Sequence, residues 1–284
     1  MTTSLSPDFA PVRAHYDLCD DFFRLFLDPS LTYSCARFDA SDMSLADAQR
    51  AKIDTTLAKC ELQRGQRLLD IGCGWGATAA RAHERHGVSV IGLTLSRNQY
   101  HHNQMLAAGR PGLDFRLEGW ETFTEPVDRI VSIGAFEHFG RAKYAAFFAR
   151  CLELLPGDGI LLLHTITLGK PSKAFAFLRF VHFLSTKIFP GGDVPPPERV
   201  LEAARTGGFE TLHVECLRPH YARTLECWAG NLASNADKAA TLVGEETVRT
   251  YLRYLTACAK FFRSGECDVY QFKLRPCTAL LSSA

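Results

Sequence analysis

Between Gln66 and Thr167, short aliphatic and β-branched runs alternate with stretches in which apolar residues recur every three or four positions. The first pattern predicts strands and the second amphipathic helices, so the alternation predicts βαβ units on a mostly parallel sheet. Strands are expected at Arg67 to Ile71, Val88 to Thr94, Leu113 to Glu118, Asp128 to Gly134 and Gly159 to Thr165, with helices at Gly76 to His86, Ser96 to Leu106 and Arg141 to Leu154. Upstream, Ser44-Leu45-Ala46-Asp47 has the form of a capping box opening a helix to about Cys60, and Asp20 to Leu27 reads as a short amphipathic helix stopped by Pro29. Downstream, the Phe- and Leu-rich segment Pro171 to Phe189, closed by Pro190-Gly191-Gly192, fits either a lid or acyl-chain wall or a core-packing helix. Strand pattern returns at Phe209 to Cys216 and Asp268 to Leu274, with one long helical stretch, Tyr221 to Phe262, between them, and Pro276 to Ala284 reads as a frayed end.

These elements suggest an α/β chain of one domain: a helical cap (1–62), a cofactor-binding core (63–167), a helical lid and substrate region (168–264), and a final strand and tail (265–284). With 284 residues, 46% of them hydrophobic, such a domain has enough material for a full-sized core. The net charge of +1 offers no long-range attraction for nucleic acid, which is not expected as a partner. Neither a signal-peptide pattern nor an apolar run of membrane-crossing length is visible, so a cytoplasmic location, with or without contact with a membrane surface, is expected. The ten cysteines include no C-x-x-C pair and no Cys/His cluster at zinc spacing, which predicts reduced thiols, mostly in the core, and no metal.

The densest chemical signal is Leu68-Leu69-Asp70-Ile71-Gly72-Cys73-Gly74-Trp75-Gly76-Ala77, a strand running into a glycine turn that opens a helix. Glycines remove Cβ atoms that would hold a ligand away, and the helix N-terminus adds partial positive charge. The spacing is G-x-G-x-G, and the second strand ends in Thr94-Leu95-Ser96 without the acid that a dinucleotide ribose requires. The acid precedes the glycines instead, at Asp70, which suits a nucleoside without phosphates such as S-adenosylmethionine. A plain tight turn is the alternative.

Several further blocks extend this picture: His15-Tyr16-Asp17-Leu18 with Asp20-Asp21-Phe22-Phe23, Thr32-Tyr33-Ser34-Cys35-Ala36, Gly92 to Gln99, Gly119-Trp120, Val127 to Gly140, Leu163-His164-Thr165-Ile166-Thr167, Ile188 to Gly192, Pro219 to Leu225 and Tyr254-Leu255-Thr256. Together they resemble the cyclopropane-fatty-acid synthase family, most closely its mycobacterial branch of mycolic acid cyclopropane synthases and methyltransferases. The resemblance runs from about residue 14 to residue 274. It implies a class I S-adenosylmethionine-dependent methyltransferase fold, Rossmann-like, with a mostly parallel seven-stranded sheet, N-terminal helices and an inserted helical lid.

Carried over by position, the resemblance places the cofactor among Tyr33, Ser34, Asp70, Gly72, Cys73, Gly74, Trp75, Gly76, Thr94, Leu95, Ser96 and Gln99, with Trp120 and Glu121 bordering the adenine. Aromatic faces stack on adenine and attract a sulfonium, although Trp120 also fits a core position. The implied reaction begins when a cis double bond of a long acyl chain attacks the donor methyl. The resulting carbocation closes to a cyclopropane when the new methyl loses a proton. The family is understood to hold a bicarbonate ion for this purpose, which the resemblance assigns to Cys35, Glu137, His164 and Tyr221, with Ile166 contributing backbone. Read alone, His164 at the end of an apolar strand equally fits a hydrogen-bonded core residue, and Tyr221 a packed ring. Cys258, in Tyr254-Leu255-Thr256-Ala257-Cys258, aligns with a cysteine sometimes assigned as catalytic, but an alkene nucleophile requires no covalent intermediate.

Two departures stand out. Where relatives carry Cys-Ala-Tyr-Phe-Glu, this chain has Cys35-Ala36-Arg37-Phe38-Asp39, which predicts a cation beside the anion site, and the segment between Ile166 and Phe189 reads as shortened. An acyl chain on an acyl carrier protein or in a membrane lipid is the expected partner. Quenching of the same cation to a hydroxylated or methyl-branched product, N-methylation of a small amine, and binding without catalysis are the competing readings.

Overall fold

The computed structural model describes residues 5–9, 19–170, 175–188 and 192–277. The expected His15-Tyr16-Asp17-Leu18 block, Phe189-Pro190-Gly191 and the end of the tail lie outside the described residues. Among the described residues, seven strands form one sheet: β1 (Arg67–Ile71), β2 (Ser89–Leu93), β3 (Leu113–Arg116), β4 (Arg129–Ile133), β5 (Ile160–Leu168), β6 (Phe209–Cys216) and β7 (Cys267–Pro276). Their order is β3-β2-β1-β4-β5-β7-β6; the first five run parallel, and β7 pairs antiparallel with both neighbours. β5 runs three residues past the expected end at Thr165, because β7 continues beside it until Leu168 meets Cys267.

Strand alternation divides the core between the two faces. Leu69, Ile71, Ile130, Leu161 and Leu163 pack under Phe147 and Phe148 of α5 (Tyr144–Leu154). Leu68, Val90, Val131 and Leu162 face Ile53 and Leu57 of α2 (Leu45–Lys59) and Ala79 of α3 (Ala77–His86). The expected cap holds, since the Ser44 side chain accepts from the Asp47 N–H at 3.1 Å. Asp20 to Leu27 is shorter than expected: α1 covers Asp20–Arg24 and tightens into a turn before Pro29. α4 spans Arg97–Ala107.

A third apolar cluster lies beyond the carboxyl ends of the parallel strands. It joins Phe22, Phe23 and Phe26 of the cap segment to the helices that follow β5. These are α6 (Phe175–Phe183, continued by a π turn, Leu184–Ile188), α8 (Arg218–Ser234), α9 (Ala236–Val243) and α10 (Glu245–Ser264), while α7 (Pro197–Thr206) packs beside α5. The long helical stretch expected over Tyr221 to Phe262 is divided into three helices. Asn235 leaves helical geometry at φ −116°, and Gly244 adopts φ 82°, ψ 150°. Hydrophobic spacing continues across both breaks, so periodicity alone does not reveal them.

Candidate active site

Two cavities open at the carboxyl edge of the sheet. The first, about 250 Å³, is lined by Tyr33, Ser34, Asp70, Gly72, Cys73, Gly74, Trp75, Thr94, Leu95, Gln99, Trp120 and Glu121, all expected from the sequence. Gly76 and Ser96 do not line it. A Cβ on Gly76 would stand 2.7 Å from Asn103 and 2.8 Å from Leu106, so this glycine serves close packing against α4. Ser96 is fully buried and caps that helix, accepting from the Gln99 N–H at 3.2 Å. Gly74 is the open position of the turn: it has φ +55°, and a Cβ would meet nothing within 4 Å.

Each wall of this cavity is fixed from behind. Thr94 Oγ1 donates to Gln99 Oε1 at 2.8 Å, and Trp75 Nε1 donates to Asp20 Oδ1 at 3.2 Å. Trp120 lies between Phe139 and Phe147, each at 5.4 Å, while its buried Nε1 has no hydrogen-bond partner among the described residues. It is thus a core residue and a cavity wall at once. Glu121 Oε1 accepts from Lys143 Nζ at 2.8 Å.

Lys52, which the sequence reading missed, also lines this cavity and donates to Ser34 Oγ at 2.9 Å. Burial pushes its ammonium down to about 8, against the opposing pull of Cys35, Asp28 and Asp70. Burial likewise pushes Asp70 up to about 7, with Lys52 opposing, and Asp70 Oδ2 is buried without a hydrogen-bond partner.

The second cavity, about 350 Å³, brings together every expected catalytic residue: Cys35, Glu137, His164, Ile166, Tyr221 and Cys258. The remainder of its lining is mainly apolar, including Phe177, Phe180, Leu184, Leu225 and Phe262. The lid segment therefore has one face in the cavity, while Leu178 on the same helix is exposed. The two cavities share Tyr33, Ser34, Gly134 and His138 as a common wall.

Glu137 stands on a short 3₁₀ turn (Phe136–His138) just after β4, where the strand end delivers it to the sheet edge. Its Oε1 accepts from the Ile166 N–H at 2.6 Å, and its Oε2 is buried without a hydrogen-bond partner. The Ile166 N–H is thus committed to Glu137. Burial, opposed chiefly by that N–H, pushes the Glu137 carboxyl up to about 7, so charged and uncharged forms coexist near neutrality. His164 is 2% exposed; burial, reinforced by Lys52 and Lys59, pushes it down to about 3, which keeps it neutral. Tyr221 packs its ring at 4.7 Å from Phe262.

The cysteines are poor nucleophiles here. Burial raises both the Cys35 and the Cys258 thiols far above neutrality. Five of the ten cysteines are buried, fewer than expected, and all are free. Arg37 also departs from expectation. Its guanidinium binds Asp39 at 2.8 Å and Glu215 at 2.9 Å and lines neither cavity, because those two carboxylates draw it away from the anion site.

Comparison with known proteins agrees with this geometry. Residues 3–272 match the family described as mycolic acid cyclopropane synthetase. The chain is 53% identical to cyclopropane mycolic acid synthase 1 of Mycobacterium tuberculosis, with 96% of this chain and 99% of that protein covered. Among solved structures, cyclopropane synthase MmaA2 from Mycobacterium tuberculosis superposes with a TM-score of 0.94 at 51% identity, covering 96% of this chain and 100% of that one. Mycolic acid cyclopropane synthase CmaA1 complexed with SAH and CTAB gives a TM-score of 0.93 at 52% identity, with the same coverage. Coclaurine N-methyltransferase, at 24% identity and a TM-score of 0.79, shares the fold. The chain therefore belongs to the mycolic acid cyclopropane synthetase family and is an S-adenosylmethionine-dependent methyltransferase.

Proposed function

We propose that this enzyme adds a methylene across a cis double bond of a long acyl chain of the mycolic type, forming a cyclopropane ring. The observation that carries the reading is the common wall of Tyr33, Ser34, Gly134 and His138, which sets the more polar of the two cavities against the more apolar one. The polar cavity holds the methyl donor by the glycine turn, Thr94, Gln99 and Trp120. The apolar cavity takes the hydrocarbon along Phe177, Phe180 and Leu184, whose burial against the chain replaces its contact with water.

At the common wall the alkene π electrons form the new C–C bond while the C–S bond of the donor breaks. The positive charge passes to the lipid, and one proton must then leave the added methyl as the ring closes. The mainly apolar lining offers water few partners beside the cation, which favours ring closure over a hydroxylated product. Bicarbonate, when bound, supplies a base that is not itself alkylated.

The residues fit such an ion. Glu137 has an unpartnered oxygen and is only partly charged near neutrality, so it can donate to an oxyanion or accept from its hydroxyl. Neutral His164 and the Tyr221 hydroxyl complete a donor set for the remaining oxygens, whereas the Ile166 N–H serves Glu137. A small-amine substrate finds no comparable match in a cavity walled by Phe and Leu.

The test is incubation of the purified enzyme with isotopically labelled S-adenosylmethionine and cis-unsaturated acyl substrates, presented on an acyl carrier protein and as phospholipid. Mass spectrometry should show the gain of one methylene with a ring in place of the double bond. A hydroxylated or methyl-branched chain, or a methylated amine as the sole product, would overturn the reading.

A further inference from the structure

One polar group of the apolar cavity, His164, begins a hydrogen-bonded chain that runs across the sheet away from it. His164 on β5, Gln271 on β7 and Glu215 on β6 are directly opposed partners across three strands, so their side chains form one row on the same face of the sheet. Helix α2 lies over that row and adds Thr56 and Lys59. Lys59 Nζ donates to Gln271 Oε1 at 2.5 Å and also binds Glu215, which Arg37 holds from its other side.

We propose that Lys59 and Gln271 are positioning residues that lock His164 as the Nε2–H tautomer, leaving that proton for the substrate side of the ring.

Donor and acceptor roles fix the chain of bonds step by step. An ammonium only donates, so the amide atom facing Lys59 is oxygen. Thr56 gives the same orientation independently: its hydroxyl donates its one proton to the Lys52 carbonyl at 2.7 Å and must therefore accept from Gln271 Nε2 at 2.9 Å. The amide nitrogen also lies 3.2 Å from His164 Nδ1. A nitrogen facing an N–H donor must accept, which puts the imidazole proton on Nε2. Burial, reinforced by the nearby Lys52 and Lys59, opposes imidazolium formation, so the ring remains a single N–H donor that can bind an anion without surrendering a full proton. The use of that donor in catalysis rests on the function proposed above. The tautomer does not.

The experiment is long-range ¹H–¹⁵N NMR of the full chain labelled at its histidines, with His164→Asn identifying the relevant signals. The native enzyme should show His164 with Nδ1 unprotonated and Nε2 protonated. Gln271→Glu, whose carboxylate accepts from both Lys59 and the imidazole, should move the proton to Nδ1. Turnover should then fall about 10- to 100-fold, the scale seen when the partner orienting a metal-site imidazole is removed. Lys59→Met should weaken the lock, leaving Thr56 alone to hold the amide and admitting a minor Nδ1–H form, and Lys59→Arg should restore Nε2–H alone. A native Nδ1–H form, or a Gln271→Glu enzyme that retains Nε2–H, overturns the proposal. If Gln271→Glu does not fold, the native spectrum and the Lys59 pair decide. A moved proton with unchanged turnover upholds the positioning role and counts instead against His164 serving the reaction.

Discussion

The two cavities differ in how their polar groups are supported. In the cofactor cavity, the groups around the glycine turn are held by partners close in sequence: Thr94 binds Gln99, Ser96 caps the helix carrying Gln99, and Asp70 lies two residues before the glycine turn, while Ser34, Glu121 and Trp75 at its flanks rest on the more distant Lys52, Lys143 and Asp20. In the acyl cavity, Glu137 meets Ile166 and His164 meets Gln271, contacts that span 29 and 107 residues of chain. The centre of the first site is local to the strand–turn–helix unit. The His164–Gln271 pair exists only after β7 has inserted between β5 and β6. The glycine turn can thus form within contiguous chain, whereas the acid–base cluster depends on the completed sheet.

The sharpest way to break this comparison is to damage one cavity and read both. Glu137→Gln keeps the shape of the side chain and can still accept from the Ile166 N–H, but it removes the ionisable carboxyl from the acyl cavity. Turnover should fall by about 100-fold or more, the scale of a positioned acid–base group. Affinity for S-adenosylhomocysteine, measured by calorimetry, should stay within about 2-fold, since Glu137 does not line the cofactor cavity. Equal losses in both measurements would show that the cavities do not act separately.

The same variant carries a stability signature. Burial raises the native Glu137 carboxyl to about 7 from its ordinary 4.5, so the folded state binds its proton more tightly than the unfolded chain does. That contribution is fully present below about pH 4.5 and is lost as the pH rises through 7. Glutamine has no proton to lose, so Glu137→Gln should gain stability over the native enzyme by up to about 3 kcal/mol at pH 8 and by nothing attributable to ionisation at pH 4.5. Urea unfolding at the two pH values measures the difference. A gap independent of pH would show that burial does not control this group.

The contrast also explains what was legible in the sequence. The parallel strands and the glycine turn are local patterns and were legible as such, whereas the fourteen expected cofactor positions came from the family resemblance; twelve of them line the cavity. Glu137 was assigned by the resemblance, and its place on the turn a few residues after β4 puts it at the sheet edge. α2 was legible as a capped helix, but the inward role of its polar side chains was not. Gln49, Lys52, Thr56 and Lys59 recur at helical spacing; the first three are buried and all four bond inward. Polarity marks the need for hydrogen bonds and does not say whether water or protein supplies them. Arg37 shows the converse. Its proximity to Cys35 in sequence suggested the anion site, but Glu215, 178 residues later, determines where its charge goes.

Gly74→Ala supplies the reciprocal test at the cofactor cavity, with a smaller expected effect. The positive φ of +55° imposes a backbone strain of about 1 kcal/mol on any residue with a Cβ, while no protein atom within 4 Å opposes the added methyl. The methyl projects from the turn at the wall where the nucleoside must approach. S-Adenosylhomocysteine affinity should therefore weaken by about 10-fold, equivalent to about 1.4 kcal/mol, because close backbone approach is what the glycine permits. At saturating donor, Gly74→Ala should recover most of its turnover, since the Glu137–Ile166 and His164–Gln271 contacts lie on other strands and are untouched. Glu137→Gln should recover none under the same conditions. Opposite behaviour of the two variants on raising the donor concentration is the result that separates the local site from the assembled one; a Gly74→Ala enzyme that stays slow at saturation would place the glycine turn within the chemical step as well as in binding.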